Sequence, residues 1–411
     1  MYRIAIVIGL IAAFVAASVI PAGAHIKTAT SPTNLPAGLQ SERGLESQLF
    51  RIVTEIDNNN LDKALENTEA LIKEYPNFRL AYLIKGDLLL ARSAPLSTFG
   101  NAENVPQEKL DDLRDEIMVR LRAYRDRATT TENIPRYLLQ MPPEQKHAIV
   151  VDTRKSRLFV YANDTKANGH PRLVADYYIS QGKLGAGKMR EGDKKTPTGV
   201  YHVTSSLSPK KVGEFYGTGA FPINYPNEWD KRLGRSGHGI WLHGTPPNTF
   251  SRPPKASDGC VVLANTDLDE LATKLQIGMT PVIISDSVEW LTPDEWKKER
   301  KDLIGRIEAW RRDWESRNID RYISNYANEF QNNGQTLKEF TEQKRRVNDG
   351  KEWIKVKLSD LSVFRNPGND DMAVVTFEQD YQSNNLTNRM KKRQYWIRED
   401  GTWKILYEGA A

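Results

Sequence analysis

The chain has 411 residues, of which 39% are hydrophobic and 27% charged, and a formal net charge of +5 at neutral pH. This balance excludes a disordered chain and a bundle of membrane spans, and the length allows two or three domains with separate cores. The charge is mild and no dense Lys/Arg stripe follows the sequence, so we expect an ordinary basic surface and no nucleic-acid partner.

Residues 1–24 predict a signal peptide for export. Arg3 precedes an apolar run from Ile4 to Ile20, and small residues at 22–24 close the segment. Cleavage there would leave no stable membrane insertion. The alternative is an uncleaved anchor, because the apolar run approaches the length of a membrane span. In both cases we expect the remaining chain to work in the periplasm or cell envelope.

Helical spacing of apolar residues predicts a helical module over residues 42–96. Its segment Leu61 to Leu83 resembles one tetratricopeptide-type unit and the start of the next. Such units need a neighbour to close their core, so we expect the module to pack on something. Two roles stay open, namely a docking platform for an envelope protein or a glycan, and a packed N-terminal cap.

A helical linker is predicted over residues 97–145. Apolar residues on one face favour a charged helix from Glu108 to Arg127. Prolines bound the following segment, Ile134 to Pro143, and predict irregular structure there.

The pattern changes to strands over residues 146–286, which predicts a mostly β domain. Strands are expected after His147, after Arg157, from Leu173 to Ser180, and at both Thr196 and Gly239. A closing strand follows from residue 281, and a short helix from 267 to 275 precedes it.

The last domain, residues 293–411, is predicted to begin with helices and end in four strands. We expect helices over 289–318, 319–330 and 336–348, and strands over 353–363, 372–382, 390–398 and 402–407. Helices followed by a curved antiparallel sheet predict an α+β cone, a pattern that resembles the nuclear-transport-factor-like fold. The whole chain is therefore predicted to be multidomain α+β.

Cys260 is the only cysteine in the chain, and His243 stands seventeen positions before it. A lone cysteine in an exported protein is buried, paired with another chain or used chemically. The segment between the two residues is rich in Pro, Ser, Thr and Asn, which predicts a loop. A thiol beside an imidazole that can take its proton is the minimum equipment for nucleophilic acyl transfer.

Three segments occur in order around this pair. They are Gly-Lys-Leu-Gly-Ala-Gly-Lys from residue 182, Glu-Gly-Asp-Lys-Lys-Thr-Pro-Thr-Gly-Val-Tyr from residue 191, and His-Gly-Thr from residue 243 through Ser-Asp-Gly-Cys ending at 260. Together they resemble the L,D-transpeptidase catalytic domain of the YkuD type, over residues 147–286. The resemblance implies Cys260 as nucleophile, His243 as base and acid, and a backbone carbonyl at Gly244 that orients His243.

Gly259 lets the backbone approach a bound carbonyl closely, so its amide and that of Cys260 are expected to hold the developing oxyanion. Ser257 is expected to shape this turn and hydrogen-bond near the thiol. Asp258 stands where the family has His, and an acidic neighbour would raise the thiol pKa and alter the choice of acceptor.

The remaining candidates for contact with substrate are His238, Lys188 and Thr196. His238 is expected at the rim or in a structural role, with contact to substrate as the alternative. Lys188 and Thr196 are expected to shape the wall of the site. No His/Cys/Asp cluster has the spacing of metal ligands, so we expect neither a metal nor a cofactor.

The resemblance implies the stem peptides of peptidoglycan as substrate. Cys260 would attack the carbonyl of the third stem residue, expel the terminal D-alanine and form a thioester. An amine acceptor from a neighbouring stem gives a 3-3 cross-link, which is our leading expectation. Water gives a tripeptide, and the C-terminal cone resembles that of L,D-carboxypeptidases that set helical cell shape. The third hypothesis is a non-catalytic peptidoglycan-binding scaffold.

Overall fold

The computed structural model describes residues 44–96, 98–102, 104–127, 132–164, 169–332, 334–368 and 371–411. The predicted signal peptide over residues 1–24 lies outside these described residues. Within them, no helix is both long enough and apolar enough to cross a membrane.

The described helices, in chain order, are α1 Leu45–Asp57, α2 Leu61–Glu74, α3 Arg79–Leu90, α4 Gln107–Arg125, α5 Pro209–Val212, α6 Glu228–Arg232, α7 Asn265–Ala272, α8 Pro293–Glu315, α9 Ile319–Ile323 and α10 Leu337–Asp349. The strands before the C-terminal domain are β1 Ile134–Pro135, β2 Leu138–Gln140, β3 His147–Asp152, β4 Arg157–Ala162, β5 Arg172–Tyr178, β6 Gln181–Gly182, β7 Gly199–His202, β8 Ala220–Pro222, β9 Trp241–His243, β10 Lys255–Ser257, β11 Val261–Val262, β12 Pro281–Ser285 and β13 Trp290–Leu291. The C-terminal strands are β14 Tyr326–Asn332, β15 Gln335–Thr336, β16 Ile354–Arg365, β17 Met372–Ser383, β18 Leu386–Glu399 and β19 Thr402–Ala410.

Helices α1 to α4 form the N-terminal module, whose core includes Leu49, Leu71 and Ile117. Phe250, from the loop between β9 and β10, packs edge-on against Phe78 of this module with ring centroids 5.4 Å apart. The module therefore caps the catalytic-domain region. Docking of an envelope partner on its outer faces stays a prediction.

A buried ion-pair network joins the same two regions. Arg120 on α4 contacts Glu46 on α1 and Glu116 on its own helix, each at 2.9 Å, and Arg157 on β4 contacts Glu46 at 3.0 Å. Burial would raise the pKa of Glu46, but the charges of Arg157 and Arg120 outweigh it and lower that pKa to about 2. Removing one member of such a buried network leaves an unpaired charge, which typically costs about 3–5 kcal/mol.

The middle of the chain is built on a five-stranded sheet of order β5-β4-β3-β12-β7. Strand β12 runs parallel to β3 and antiparallel to β7. Ile149 and Val151 on β3 pack into the domain core, whereas Ala148 and Val150 pack into a second cluster with Phe364 of the C-terminal domain. Burial on both faces explains the continuous apolar run of β3.

The C-terminal domain is a seven-stranded sheet of order β15-β14-β19-β18-β17-β16-β2, with α8 packed against it. Buried Trp296, Trp310, Trp396 and Trp403 fill its core. The predicted α+β architecture is therefore present, with helices at the N-terminus, a β-rich middle and a helix-and-sheet C-terminal domain.

Two local predictions were wrong. The segment Ile134 to Pro143, expected to be irregular, contains β1 and β2, because these strands find partners in the distant β13 and β16. The helix expected over residues 319–330 ends at Ile323. Asn325 bonds back to carbonyls of the preceding turn, and the chain continues as β14 beside β19.

Candidate active site

Parallel pairing of β9 and β11 places the predicted nucleophile and base on neighbouring segments of one small sheet. Leu242 lies opposite Val261, and both side chains are fully buried in the domain core. Side chains alternate across a strand, so His243 and Cys260 lie on the other face of the pair. Burial of Leu242 and Val261 in the core therefore directs the side chains of His243 and Cys260 to the same, opposite side.

The backbone determines the tautomer of His243. Its Nδ1 lies 2.7 Å from the carbonyl oxygen of Gly244, which can only accept, so Nδ1 carries the proton and Nε2 has a free lone pair. Burial is the main reason why the pKa of His243 lies at about 4; the bond to Gly244 opposes this shift and the charge of Arg252 adds to it. The imidazole is therefore neutral at pH 7 and can accept a proton.

The Cys260 thiol is half-buried and donates to the carbonyl oxygen of Gly239 at 3.3 Å. Burial raises its pKa to about 11, while the backbone amide of Trp241 and the charge of Arg252 oppose the rise and Asp258 adds to it. The resting pair is thus a neutral thiol and a neutral imidazole. Proton transfer to His243 has to accompany the attack of the sulfur.

Ser257 shapes the turn that carries the thiol. Its hydroxyl donates to the Cys260 carbonyl at 2.6 Å and accepts from the Gly259 amide at 3.1 Å. Gly259 has φ +133°, and a Cβ there would lie 2.7 Å from the Lys195 carbonyl oxygen, so only glycine fits. Because the Gly259 amide is already engaged, an oxyanion would have to displace Ser257 to use it. The Cys260 amide has no acceptor among the described residues.

Thr196 and Lys188 lie behind this turn. Thr196 is fully buried, and its hydroxyl donates to the Gly259 carbonyl at 3.0 Å and accepts from the Gly182 amide at 2.9 Å. The Lys188 ammonium is buried and bonds Asp193 at 2.7 Å. Both polar groups are used inside the protein, so they support the wall of the site and do not offer free contacts to substrate.

Asp258 and His238 lie at the rim. The Asp258 side chain is 74% exposed and contacts Lys183 at 3.3 Å. The His238 side chain is 80% exposed, with Nε2 at 3.4 Å from Glu191. Both are accessible to a bound substrate, and neither touches the thiol directly in the described contacts.

Asn265 is a supporting residue that the sequence reasoning missed. Its Oδ1 accepts from the backbone amides of Thr245 and Thr218 at 3.1 and 3.2 Å, and its Nδ2 donates to the Thr245 carbonyl at 2.9 Å. A Cβ on Gly244 would lie 2.1 Å from the same Oδ1. Asn265 thus holds the turn after His243, at a distance in sequence that no local pattern signals.

Arg252, Phe215 and Tyr216 form a second missed group, a wall beside the base. The Tyr216 ring lies 4.9 Å from the His243 ring, and the Phe215 ring lies 6.3 Å from it. The guanidinium of Arg252 sits 4.6 Å over the Phe215 ring. The sequence did not distinguish Arg252 from the other basic residues of the chain.

No cluster of three or more His, Cys, Asp or Glu side chains that could hold a metal occurs in the described parts of the chain. The groups available for chemistry at the site are a half-buried thiol, an oriented imidazole and a backbone amide.

Two family models match the chain. Residues 146–284 match the L,D-transpeptidase catalytic domain, and residues 302–409 match the Cds6 C-terminal NTF2-like domain. A search of the curated proteins found no match.

Solved structures resemble the chain across both domains. Bd1075 of Bdellovibrio bacteriovorus is 32% identical with a TM-score of 0.59, over 68% of this chain and 98% of that one. The helical cell shape determining protein Pgp2 of Campylobacter jejuni is 28% identical with a TM-score of 0.54, over 64% of this chain and 91% of that one. From these matches, the chain belongs to the L,D-transpeptidase catalytic-domain family, and its C-terminal domain matches the Cds6 NTF2-like model.

Proposed function

We propose that the protein is an L,D-carboxypeptidase that trims the peptidoglycan stem from tetrapeptide to tripeptide through a thioester on Cys260. The observation that carries the acylation step is the arrangement at β9 and β11. Cys260 and His243 share a face, and the Gly244 carbonyl leaves Nε2 of His243 free to act as base.

In the first step, Nε2 of His243 takes the thiol proton as the sulfur attacks the carbonyl carbon of the third stem residue. The carbonyl oxygen becomes an oxyanion, for which the open Cys260 amide is the available donor; in comparable sites one such donor is worth about a hundred- to a thousandfold in rate. As the carbon–nitrogen bond breaks, His243 gives its proton to the nitrogen of the departing D-alanine. A thioester remains on Cys260.

In the second step, water attacks the thioester carbonyl and passes a proton to Nε2 of His243. The carbon–sulfur bond then breaks, the sulfur recovers the proton, and the tripeptide leaves with a new carboxyl group. The atoms balance with one water consumed and one D-alanine released.

Hydrolysis leads because of the domain combination. The chain shares both its catalytic and its C-terminal domain with Pgp2, a helical cell shape determining protein, over 91% of that chain. This architecture resembles that of cell-shape L,D-carboxypeptidases, and trimming of stems is a chemistry by which such a protein would alter the wall. Export to the periplasm or envelope is part of this proposal, because peptidoglycan lies there.

The second candidate is 3-3 transpeptidation, which the match of residues 146–284 to the L,D-transpeptidase catalytic domain favours. It shares the acylation step and differs only in the acceptor, an amine of a neighbouring stem. A non-catalytic scaffold is the weakest candidate, because binding alone does not require an oriented imidazole on the same face as an intact thiol.

Product analysis by mass tests the proposal. The protein lacking residues 1–24 is incubated with disaccharide tetrapeptide, with Cys260→Ala as the control. We expect tripeptide monomers and free D-alanine from the unsubstituted protein and neither from the control. Accumulation of 3-3 dimers would show that the protein is a transpeptidase and not a carboxypeptidase. Failure of a carbapenem to acylate the folded protein would favour the non-catalytic scaffold.

A further inference from the structure

Arg252 lies on the loop between β9 and β10. Its guanidinium is half-buried over the exposed ring of Phe215. No carboxylate of the described residues lies within ion-pair distance of it, and Asp258, whose charge acts on Arg252, is itself paired with Lys183 at 3.3 Å. A partly buried cation without a paired anion is costly, so this position favours a ligand that brings one.

The loop holds Arg252 firmly in place. Its carbonyl oxygen accepts from the Tyr178 hydroxyl at 2.8 Å. The preceding Ser251 donates to Glu116 of α4 at 2.7 Å, and the Phe250 amide donates to the Asn77 carbonyl at 3.3 Å. The N-terminal module thus anchors the two residues before Arg252. These contacts hold the backbone at Arg252, and stacking on Phe215 positions its guanidinium, so binding of an anion there costs little conformational entropy.

Arg252 lies near the reacting groups of the site. Its guanidinium rests on Phe215, whose ring lies 6.3 Å from the ring of His243, and its charge acts on the Cys260 thiol. An anion held by Arg252 would lie against the aromatic wall that flanks His243, the residue that protonates the leaving group. The planar fork of a guanidinium matches a carboxylate with two parallel hydrogen bonds.

We propose that Arg252 binds the α-carboxylate of the residue that the enzyme removes. This inference rests on the proposed function, since it identifies which part of the stem the loop recognises. Recognition of this carboxylate makes the enzyme specific for cleavage of the last peptide bond of the stem. A stem with one further residue would place its terminal carboxylate away from Arg252. The helical module then contributes to specificity through the loop that it anchors.

The test compares two substrates, the disaccharide tetrapeptide with a free terminal carboxylate and the same compound with a terminal carboxamide. For the full protein we expect kcat/KM to fall about 10- to 100-fold on the amide, as for loss of a charge-assisted pair. Arg252→Gln should lose as much on the acid and nothing further on the amide, and Arg252→Lys should recover part of the loss. Lys255→Gln, which removes an exposed charge at the start of β10, three residues after Arg252, should behave as the unsubstituted protein.

Binding to the Cys260→Ala protein, measured by calorimetry, separates this inference from the proposed function. We expect it to bind the acid more tightly than the amide, and the added Arg252→Gln substitution to abolish the difference. Absence of turnover by the unsubstituted protein would refute the proposed function, while this binding ratio would still decide the role of Arg252. Equal binding of acid and amide by Cys260→Ala, or an equal loss on both substrates in Arg252→Gln, would overturn the inference.

Discussion

At the scale of single residues, the site is defined by two groups whose environments keep both uncharged. Burial holds the pKa of His243 at about 4 and raises that of the Cys260 thiol to about 11. A thiolate–imidazolium pair would need the opposite order of these pKa values. The mechanism is therefore general-base activation of a thiol. The neutral imidazole is already able to accept a proton, and the thiolate forms only as the sulfur attacks the substrate.

This order predicts the pH dependence of the reaction. Neutral His243 is the active form, so kcat/KM should fall as the pH drops through about 4 and stay level from about pH 6 to 9. Alkylation of Cys260 by iodoacetamide should instead keep rising toward pH 11, because the thiolate forms only there. An alkylation rate that is already maximal below pH 7 would contradict the neutral pair.

Gly259 gives a second prediction at this scale. Gly259→Ala places a Cβ against the Lys195 carbonyl at 2.7 Å, so the turn that carries Cys260 must shift. We expect kcat to fall at least about a hundredfold, since displaced reacting groups cost that much. Gly185→Ala is the matched control, because Gly185 also has a positive φ but its Cβ would meet nothing within 4 Å. Equal activity of the two variants would show that the turn tolerates displacement.

At the scale of elements, the loop from residue 244 to 254 depends on helices far away in sequence. Phe250 packs on Tyr75 and Phe78, with ring centroids 4.9 and 5.4 Å apart. The N-terminal module thus contributes to the geometry of a site that contains none of its own residues.

Phe250→Ala tests this dependence. Loss of the Phe250 ring from its contacts with Tyr75 and Phe78 should lower the free energy of unfolding by up to about 3 kcal/mol. It should also lower kcat/KM, because the loop that carries Arg252 loses its anchor. Phe50→Ala, at a residue of α1 that is 43% exposed and does not contact the loop, is the control and should leave kcat/KM unchanged. Equal kcat/KM in both variants, measured well below the unfolding temperature, would show that the N-terminal module does not influence the geometry of the active site.

Some elements could be predicted from the sequence and others could not, for a physical reason. Apolar periodicity identified α1 to α4, the strand β3 and the four long C-terminal strands, because each of these signals is local. The strands at Ile134 and Leu138 pair with segments more than a hundred residues away, and the helix after Ile319 ends because Asn325 bonds its last carbonyls. Partners of this kind leave no local pattern.

The candidate site divides in the same way. The Cys260 and His243 pair carries a motif, and the structure brings both to one face. Arg252 and Asn265 carry no signal, since a basic residue in a loop and an asparagine at a helix start are common on any surface. Their importance follows from what they touch, which is the aromatic wall beside His243 and the turn after it.

At the scale of the whole molecule, the C-terminal domain packs against both the linker and the catalytic domain. Strand β2 comes from the linker before the catalytic domain and pairs with β16 of the C-terminal sheet. Trp296 on α8 donates its indole N–H to the Leu138 carbonyl at 2.8 Å, and Trp229 stacks on Tyr395 with ring centroids 4.8 Å apart. These contacts favour one cooperative unit.

We therefore expect a single unfolding transition for the two domains. Activity, tryptophan fluorescence and far-UV circular dichroism should change at the same denaturant concentration. Trp296→Ala should shift that midpoint, at a cost of about 3–5 kcal/mol, because the ring is 1% exposed. Trp353→Ala, at a ring 42% exposed, should not. Loss of activity at a different concentration from the fluorescence change would mean that the domains unfold separately.

The proposed mechanism requires that Cys260 attack the carbonyl of the third stem residue and expel the fourth residue. Rapid quenching with acid during turnover of disaccharide tetrapeptide, followed by intact-protein mass and peptide mapping, tests it most directly. We expect an adduct with the mass of the disaccharide tripeptide acyl group on Cys260, one D-alanine for each adduct or tripeptide formed, and none of these products in Cys260→Ala. Release of D-alanine by Cys260→Ala at the rate of the unsubstituted protein would contradict it.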